Sequence, residues 1–165
     1  MPRERTRKDI VYKFEELSED AQDKALELLG DINVDHEWFD AIYDDAKNIG
    51  LKIEGFDIDR GNYCKGHFTQ SAEDVAKAII ENHGEKCETY KTATAYLEEL
   101  EKIKAKTPDD EDIYSDDEDA EFLRSLLEDY RIMLQNDYEY LTGREAIIET
   151  IEANEYEFTE NGKLA

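Results

Sequence analysis

The chain has 165 residues and a formal net charge of -24 at pH 7, because 44 Asp and Glu outnumber 20 Lys and Arg. Its length is typical of one domain, and 39% apolar residues, with ten Tyr, six Phe and one Trp, can build a core, which excludes a wholly disordered chain. A field of this sign repels phosphates, so we expect no direct binding to nucleic acid or to a membrane.

The N-terminal third predicts one strand and two helices. Residues 9–14 have strand character, and apolar residues at helical spacing predict a helix over residues 15–30 with Ser18 as its N-cap. A second helix is expected over residues 36–48, where a broad apolar face ends at Gly50.

A β-hairpin is predicted over residues 51–69. Apolar residues alternate from Leu51, and Gly55 is expected to mark a β-bulge that resets the alternation. Residues 60–62 supply the turn.

Four further helices are predicted over residues 72–82, 88–106, 122–141 and 144–154, followed by a terminal strand around Phe158 that could join the edge of the sheet. The expected fold class is therefore α+β, with a small antiparallel sheet packed against about six helices and a helix-rich C-terminal third.

An acidic stretch divides the predicted elements. Residues 107–121 contain nine acidic residues and no basic one, and Pro108 breaks the preceding helix, so we expect a solvated linker or mobile loop there. The predicted organisation is an α+β core over residues 1–106, this linker, and a helical segment over residues 122–165 that packs on the core as one domain.

The negative charge is concentrated toward the C-terminus. Residues 109–165 hold 19 acidic and 4 basic groups, whereas residues 1–108 hold 25 and 16. A basic cluster lies at the N-terminus and comprises Arg3, Arg5, Arg7 and Lys8.

Two close pairs of residues have the spacing of zinc ligands: Cys64 with His67, and His83 with Cys87. However, residues three apart on a strand face opposite sides, so Cys64 and His67 can share a metal only if the chain turns between them. We therefore prefer a metal-free protein, in which Cys64 is a small core residue and His67 a surface group. No cofactor is expected.

Asp57 and Asp59 lie two apart on a predicted strand, so their carboxylates share a face and could hold magnesium or calcium. A small metal-dependent enzyme acting through these two residues and His67 ranks last among the functional hypotheses. The sequence contains no EF-hand loop, P-loop, HExxH motif or nucleophile elbow. We expect a protein that is not an enzyme.

Compartment follows from composition. No apolar run approaches the length of a membrane span, and no apolar segment typical of a secretion signal follows Met1. With only two Cys, the chain is expected to be cytoplasmic with reduced thiols.

Three segments resemble small acidic proteins encoded by bacteriophages and prophages, a group mostly without assigned function. They are YKFEELSEDAQDKA (12–25), HEWFDAIYDDAKNIGLKIEGFDIDRGNYCKGHFTQSA (36–72) and NEYEFTENGKLA (154–165). The resemblance implies a bacterial cytoplasm and no particular activity. Phages also encode small acidic proteins that occupy the nucleic-acid-binding surface of host defence enzymes, including restriction and CRISPR nucleases.

The leading hypothesis is therefore a phage-derived inhibitor or nucleic-acid mimic that binds a basic host or phage protein. Carboxylates would provide long-range attraction and Tyr side chains would provide the buried anchors. The alternative is a non-catalytic accessory or scaffold protein whose acidity serves only solubility; the oligomeric state is left open. The predicted contact residues are Asp109, Asp110, Glu111, Asp112, Asp116, Asp117, Glu118, Asp119, Tyr130 and Tyr138.

Overall fold

The computed structural model of the chain describes residues 10–108 and 111–165. It confirms the α+β fold class, with helices and short antiparallel strands. In chain order the elements are β1 (Tyr12–Lys13), a 3-10 turn (Phe14–Glu16), α1 (Glu19–Leu28), α2 (Asp40–Asn48), β2 (Leu51–Asp57), β3 (Tyr63–Phe68), α3 (Ala72–Asn82), α4 (Glu88–Lys106), α5 (Asp116–Leu141), α6 (Arg144–Ala153) and β4 (Glu157–Phe158).

The chain divides into two compact units whose boundaries differ from the predicted ones. Unit 1 combines the residues up to Trp38 with Asp137–Ala165, and unit 2 is the continuous segment Phe39–Asn136. The reason for the difference is that the first and last strands pair with each other, so the two ends of the sequence belong to one unit.

Unit 1 is built around the antiparallel pair β1 and β4, in which Tyr12 lies opposite Phe158. The terminal strand thus pairs with β1, and in the described part of the chain the hairpin forms a separate two-stranded sheet. The Phe14 and Phe158 rings meet edge to face at 6.2 Å, and burying each contributes about 1.5–3 kcal/mol. The core of unit 1 comprises Phe14, Leu17, Ala21, Ala25, Ile147, Ile151 and Phe158.

Gly162 fixes the C-terminal turn of unit 1 against α1. Its φ is +87°, a conformation that side-chain-bearing residues rarely adopt, and an added Cβ would lie 2.2 Å from the backbone oxygen of Ala21. Glycine is therefore required at this close approach.

Unit 2 contains the predicted hairpin. Strands β2 and β3 pair antiparallel with a register shift between Ile53 and Gly55, which confirms the expected bulge. Leu51 and Ile53 point inward and join side chains of α2, α3, α4 and α5 in the core. The largest fully buried aliphatic residues of unit 2 are Ile49, Leu51, Val75, Ile79, Leu126 and Leu134.

Local sequence signals set most helix ends. The hydroxyls of Ser18 and Ser71 accept hydrogen bonds from the backbone amides of Ala21 and Asp74, as expected of N-caps. Helices α3 and α4 have the predicted bounds. Helix α2 instead begins at Asp40, four residues later than predicted, and its N-cap makes no side-chain hydrogen bond.

Helix α5 begins at Asp116, six residues before the predicted start, so the predicted linker is shorter than expected. Four acidic residues, Asp116–Asp119, occupy its first turn, where the positive end of the helix dipole stabilises carboxylates. The amide of Asp119 donates to the backbone oxygen of Ser115 at 2.8 Å. The acidic residues 116–119, which led to the prediction of a solvated loop, therefore form the start of a helix.

Candidate partner-binding surface

Helices α4 and α5 form an antiparallel pair held by aromatic and polar contacts. The Tyr96 ring stacks on Phe122, with centroids 4.5 Å apart and planes at 9°. The Tyr96 hydroxyl donates to Asp119 at 2.5 Å, and Thr92, one turn earlier in α4, donates to Asp129 at 2.5 Å. Contacts made earlier in α4 thus fall later in α5, which fixes the antiparallel direction.

A groove runs between these helices and has an aromatic floor. Its lining, which we call the α4–α5 groove, comprises Lys91, Thr92, Ala95, Tyr96, Glu99, Glu118, Glu121, Phe122 and Ser125. Three carboxylates and one ammonium group therefore surround Tyr96 and Phe122, which are largely buried. This arrangement suits a cationic group that also brings apolar surface.

Carboxylates are dense along the start of α5. Residues 116–121 contain five acidic side chains within six helical residues, or roughly 9 Å of helix axis. That is about one charge per 1.8 Å, close to the one per ~1.7 Å of duplex DNA. The first two turns of α5 therefore carry negative charge at about the linear density of a nucleic acid.

The predicted acidic contact residues occupy different environments. Asp109 and Asp110 lie outside the described residues. Glu111, Asp112, Asp116 and Asp117 are exposed, Glu118 is half-buried in the groove, and Asp119 is half-buried. The carboxylate of Asp119 accepts from Tyr96, so it positions α5 against α4. Burial, followed by the bond to Asp119, raises the pKa of Tyr96.

The position of Tyr130 corrects the prediction that this residue serves as a contact anchor for a partner. Its side chain is completely buried, and its hydroxyl donates to Asp45 at 2.8 Å. The reason is that it lies on the inward stripe of α5. Burial, and next the nearby Asp45 carboxylate, raise its pKa. The other predicted aromatic anchor, Tyr138, is half-buried in unit 1, where its ring lies 5.7 Å from that of Trp38.

A polar network extends from Asp45 to other residues of unit 2. His83 Nε2 lies 3.1 Å from the Asp45 carboxylate, and Nδ1 lies 2.6 Å from the Thr89 hydroxyl. A carboxylate only accepts, so Nε2 donates to Asp45, and in the neutral ring Nδ1 accepts from Thr89. Thr89 is 3% exposed, so its hydroxyl does not reach solvent. Together with Tyr130, this network connects α2, α4 and α5 to the C-terminus of α3.

The two Cys-His pairs are not brought together. Cys64 faces the core of unit 2, whereas His67 points outward and binds Glu54 at 2.6 Å. His83 belongs to the network above, and Cys87 is the exposed N-cap of α4. Over residues 10–108 and 111–165, no cluster of three or more His, Cys, Asp or Glu suited to a metal ion is found. Burial raises the pKa of Cys64 to about 11, which disfavours its thiolate.

Asp57 has a structural role in the hairpin turn. Its carboxylate accepts from the backbone amides of Asp59 and Arg60, each at 2.9 Å, and these bonds lower its pKa. Asp59 is exposed. His67 lies four residues along β3 from Tyr63, the partner of Asp57, or roughly 13 Å away. His67 therefore lies apart from the two Asp residues that were proposed with it for a metal-dependent enzyme.

A second acidic groove lies in unit 1. It is lined by Lys13, Phe14, Glu15, Ile151, Glu152, Glu155, Tyr156 and Glu157. Four carboxylates surround one lysine there. Acidic surface is therefore present in both units, and three of these four carboxylates belong to the acidic residues 109–165.

Sequence reasoning missed Glu99, Glu121 and Lys91 as members of a site. Tyr96 and Phe122 are buried members of helices that the sequence did predict, but no local signal pairs α4 with α5. Among the described residues, no helix is both long and apolar enough to cross a membrane.

Comparison of the chain with protein-family models, curated proteins and solved structures gave no significant match.

Proposed function

We propose that this chain is a non-catalytic binding protein that occupies the basic, nucleic-acid-binding surface of another protein, as a phage-encoded inhibitor in a bacterial cytoplasm would. The observation that carries the proposal is the start of α5, whose carboxylates reach about the linear charge density of DNA and continue through Glu118 and Glu121 into the α4–α5 groove with its aromatic floor. The resemblance of three segments to phage and prophage proteins supports the same context.

The charges and the apolar floor have separate roles in this proposal. Exposed carboxylates act through a screened field, which accelerates encounter and selects orientation. Apolar contact area then slows dissociation. Asp119 contributes charge but also holds Tyr96, so it belongs to the scaffold of the site.

A matched pair of variants tests the proposal. The groove variant combines Asp116→Asn, Asp117→Asn, Glu118→Gln and Glu121→Gln and leaves Asp119 intact. The control variant neutralises the same number of carboxylates in the second acidic groove, through Glu15→Gln, Glu152→Gln, Glu155→Gln and Glu157→Gln.

Each protein is used to capture partners from bacterial lysate at low salt, and the association rate of the captured protein is then measured against salt concentration. We expect the groove variant to slow association at least tenfold and to flatten its salt dependence, with a much smaller effect of the control. Duplex DNA should compete with the wild-type chain for the captured partner. Simultaneous binding of DNA and this chain without mutual loss of affinity excludes mimicry.

The second candidate function is a scaffold or accessory protein whose acidity serves only solubility. The carboxylates of the second groove favour it, because they spread charge over both units. This alternative is supported if the two variants change the association rate equally, or if capture of the partner is insensitive to salt.

A further inference from the structure

An apolar groove lies between α3 and α4, on another side of α4 from the α4–α5 groove. Ile80 of α3 and Thr94 and Leu97 of α4 line it, and Glu98, Glu101 and Lys102 form its rim. Ile80 and Leu97 are only partly buried. Their inner sides pack on the core of unit 2, and their outer sides are left in contact with solvent.

The rim of this groove is negative. Two carboxylates and one ammonium group form it, and that ammonium group, on Lys102, lies 3.1 Å from the carboxylate of Glu99 in the same helix. Glu98 and Glu101 are both exposed. An apolar groove with a negative rim complements an amphipathic helix that carries aliphatic residues on one face and Lys or Arg beside them.

We infer that the basic partner docks through such a helix, with an aliphatic side chain seated between Ile80 and Leu97 and its cationic residues facing Glu98 and Glu101. The inference rests on the proposed function, since it takes the partner to be basic. It adds the form of the contacting segment and a second contact surface. Helix α4 then presents both grooves to the same partner.

A synthetic peptide of Leu and Lys residues, patterned as an amphipathic helix, serves as the probe. A scrambled peptide of identical composition is its control, because it has the same charge without an apolar face. Binding of each labelled peptide to the full chain is followed by fluorescence anisotropy at 150 mM salt, where long-range attraction is largely screened. We expect the patterned peptide to bind at least tenfold more tightly than the scrambled one.

One position inside the groove and one outside it locate the binding site. Thr94→Arg places a bulky cation in the α3–α4 groove, and Ala41→Arg makes the same charge change at an exposed position of α2 that lines neither groove. We expect Thr94→Arg to weaken peptide binding at least tenfold and Ala41→Arg to weaken it no more than about twofold. Circular dichroism confirms that each variant is folded.

Methyl NMR of the wild-type chain gives the same answer without mutation. The Ile80, Thr94 and Leu97 methyl signals should shift on peptide addition, and the signal of Ala41, outside both grooves, should not. Equal binding of both peptides, or shifts confined to Ala95, overturns the inference. It does so without touching the proposed function, whose test is the lysate capture with the charge variants.

Discussion

The hydrogen bond from Tyr130 to Asp45 allows a quantitative test of the core of unit 2. Tyr130→Phe removes only the hydroxyl, and the fully buried ring keeps its packing. A hydrogen bond to a charged group contributes about 1.5–3 kcal/mol. The Asp45 side chain is 46% exposed, so water can replace the lost donor, and we expect a loss of stability at the lower end, about 1.5 kcal/mol.

The assay is urea unfolding followed by circular dichroism, with Tyr140→Phe as the matched control because Tyr140 is 61% exposed. The midpoint should fall for Tyr130→Phe and stay unchanged for the control. A double-mutant cycle with Asp45→Ala should give a coupling energy of similar size. An unchanged midpoint in Tyr130→Phe, with no coupling to Asp45, would refute the reasoning.

The same substitution has a predicted effect at high pH. Because burial raises the pKa of Tyr130, the folded chain holds the phenolic proton more tightly than the unfolded chain does. This contribution is fully present below the unfolded pKa of about 10 and is lost as pH rises above it. Tyr130→Phe should therefore show a weaker loss of stability between neutral and alkaline pH than the wild type.

Three further outcomes are expected. Burial raises the pKa of Asp129, so this group stabilises the folded chain below the unfolded pKa near 4, and that stabilisation is lost as pH rises. In urea unfolding, Asp129→Asn should therefore raise the free energy of unfolding at pH 7 by about 0.5–1 kcal/mol, after allowance for partial solvent contact. Glu155 has a φ of +54° just after α6, a conformation that favours glycine. Calorimetry should therefore show that Glu155→Gly raises the free energy of unfolding by about 0.5–1 kcal/mol. With Cys87→Ser, the remaining Cys64 should react with a disulfide reagent at pH 8 only slowly, because a pKa of about 11 leaves roughly one thiolate in a thousand; rapid labelling of the folded variant contradicts its burial.

Local sequence signals predicted which helices form better than they predicted the residue at which each helix begins. Ser71 and Pro108 bracket α3 and α4, where cap and breaker chemistry coincide with apolar periodicity, and both helices were predicted with correct bounds. The start of α5 was missed because its first turn has no apolar side chain. The dipole of a helix, unlike its packing, favours carboxylates at that position.

The candidate site was predicted only in part. The exposed carboxylates Asp116 and Asp117 follow from charge runs, which any sequence displays directly. The burial of Tyr130 agrees with its spacing of four residues from Leu126, but its hydrogen bond could not be predicted, since the partner Asp45 lies on α2, far away in sequence. Likewise the α4–α5 groove exists only because two helices run antiparallel, a tertiary relation that no local periodicity encodes.

The discontinuity of unit 1 has a consequence for biosynthesis. Unit 2 is continuous, so all its contacts are available once Asn136 has left the ribosome. In contrast β1 must wait for β4, which is translated after all of unit 2, and until then Phe14 and Leu17 lack the partners that bury them. Closing so long a loop is slow and leaves apolar surface exposed. Ribosome-bound chains that end before Glu157 should therefore be the forms most in need of chaperones.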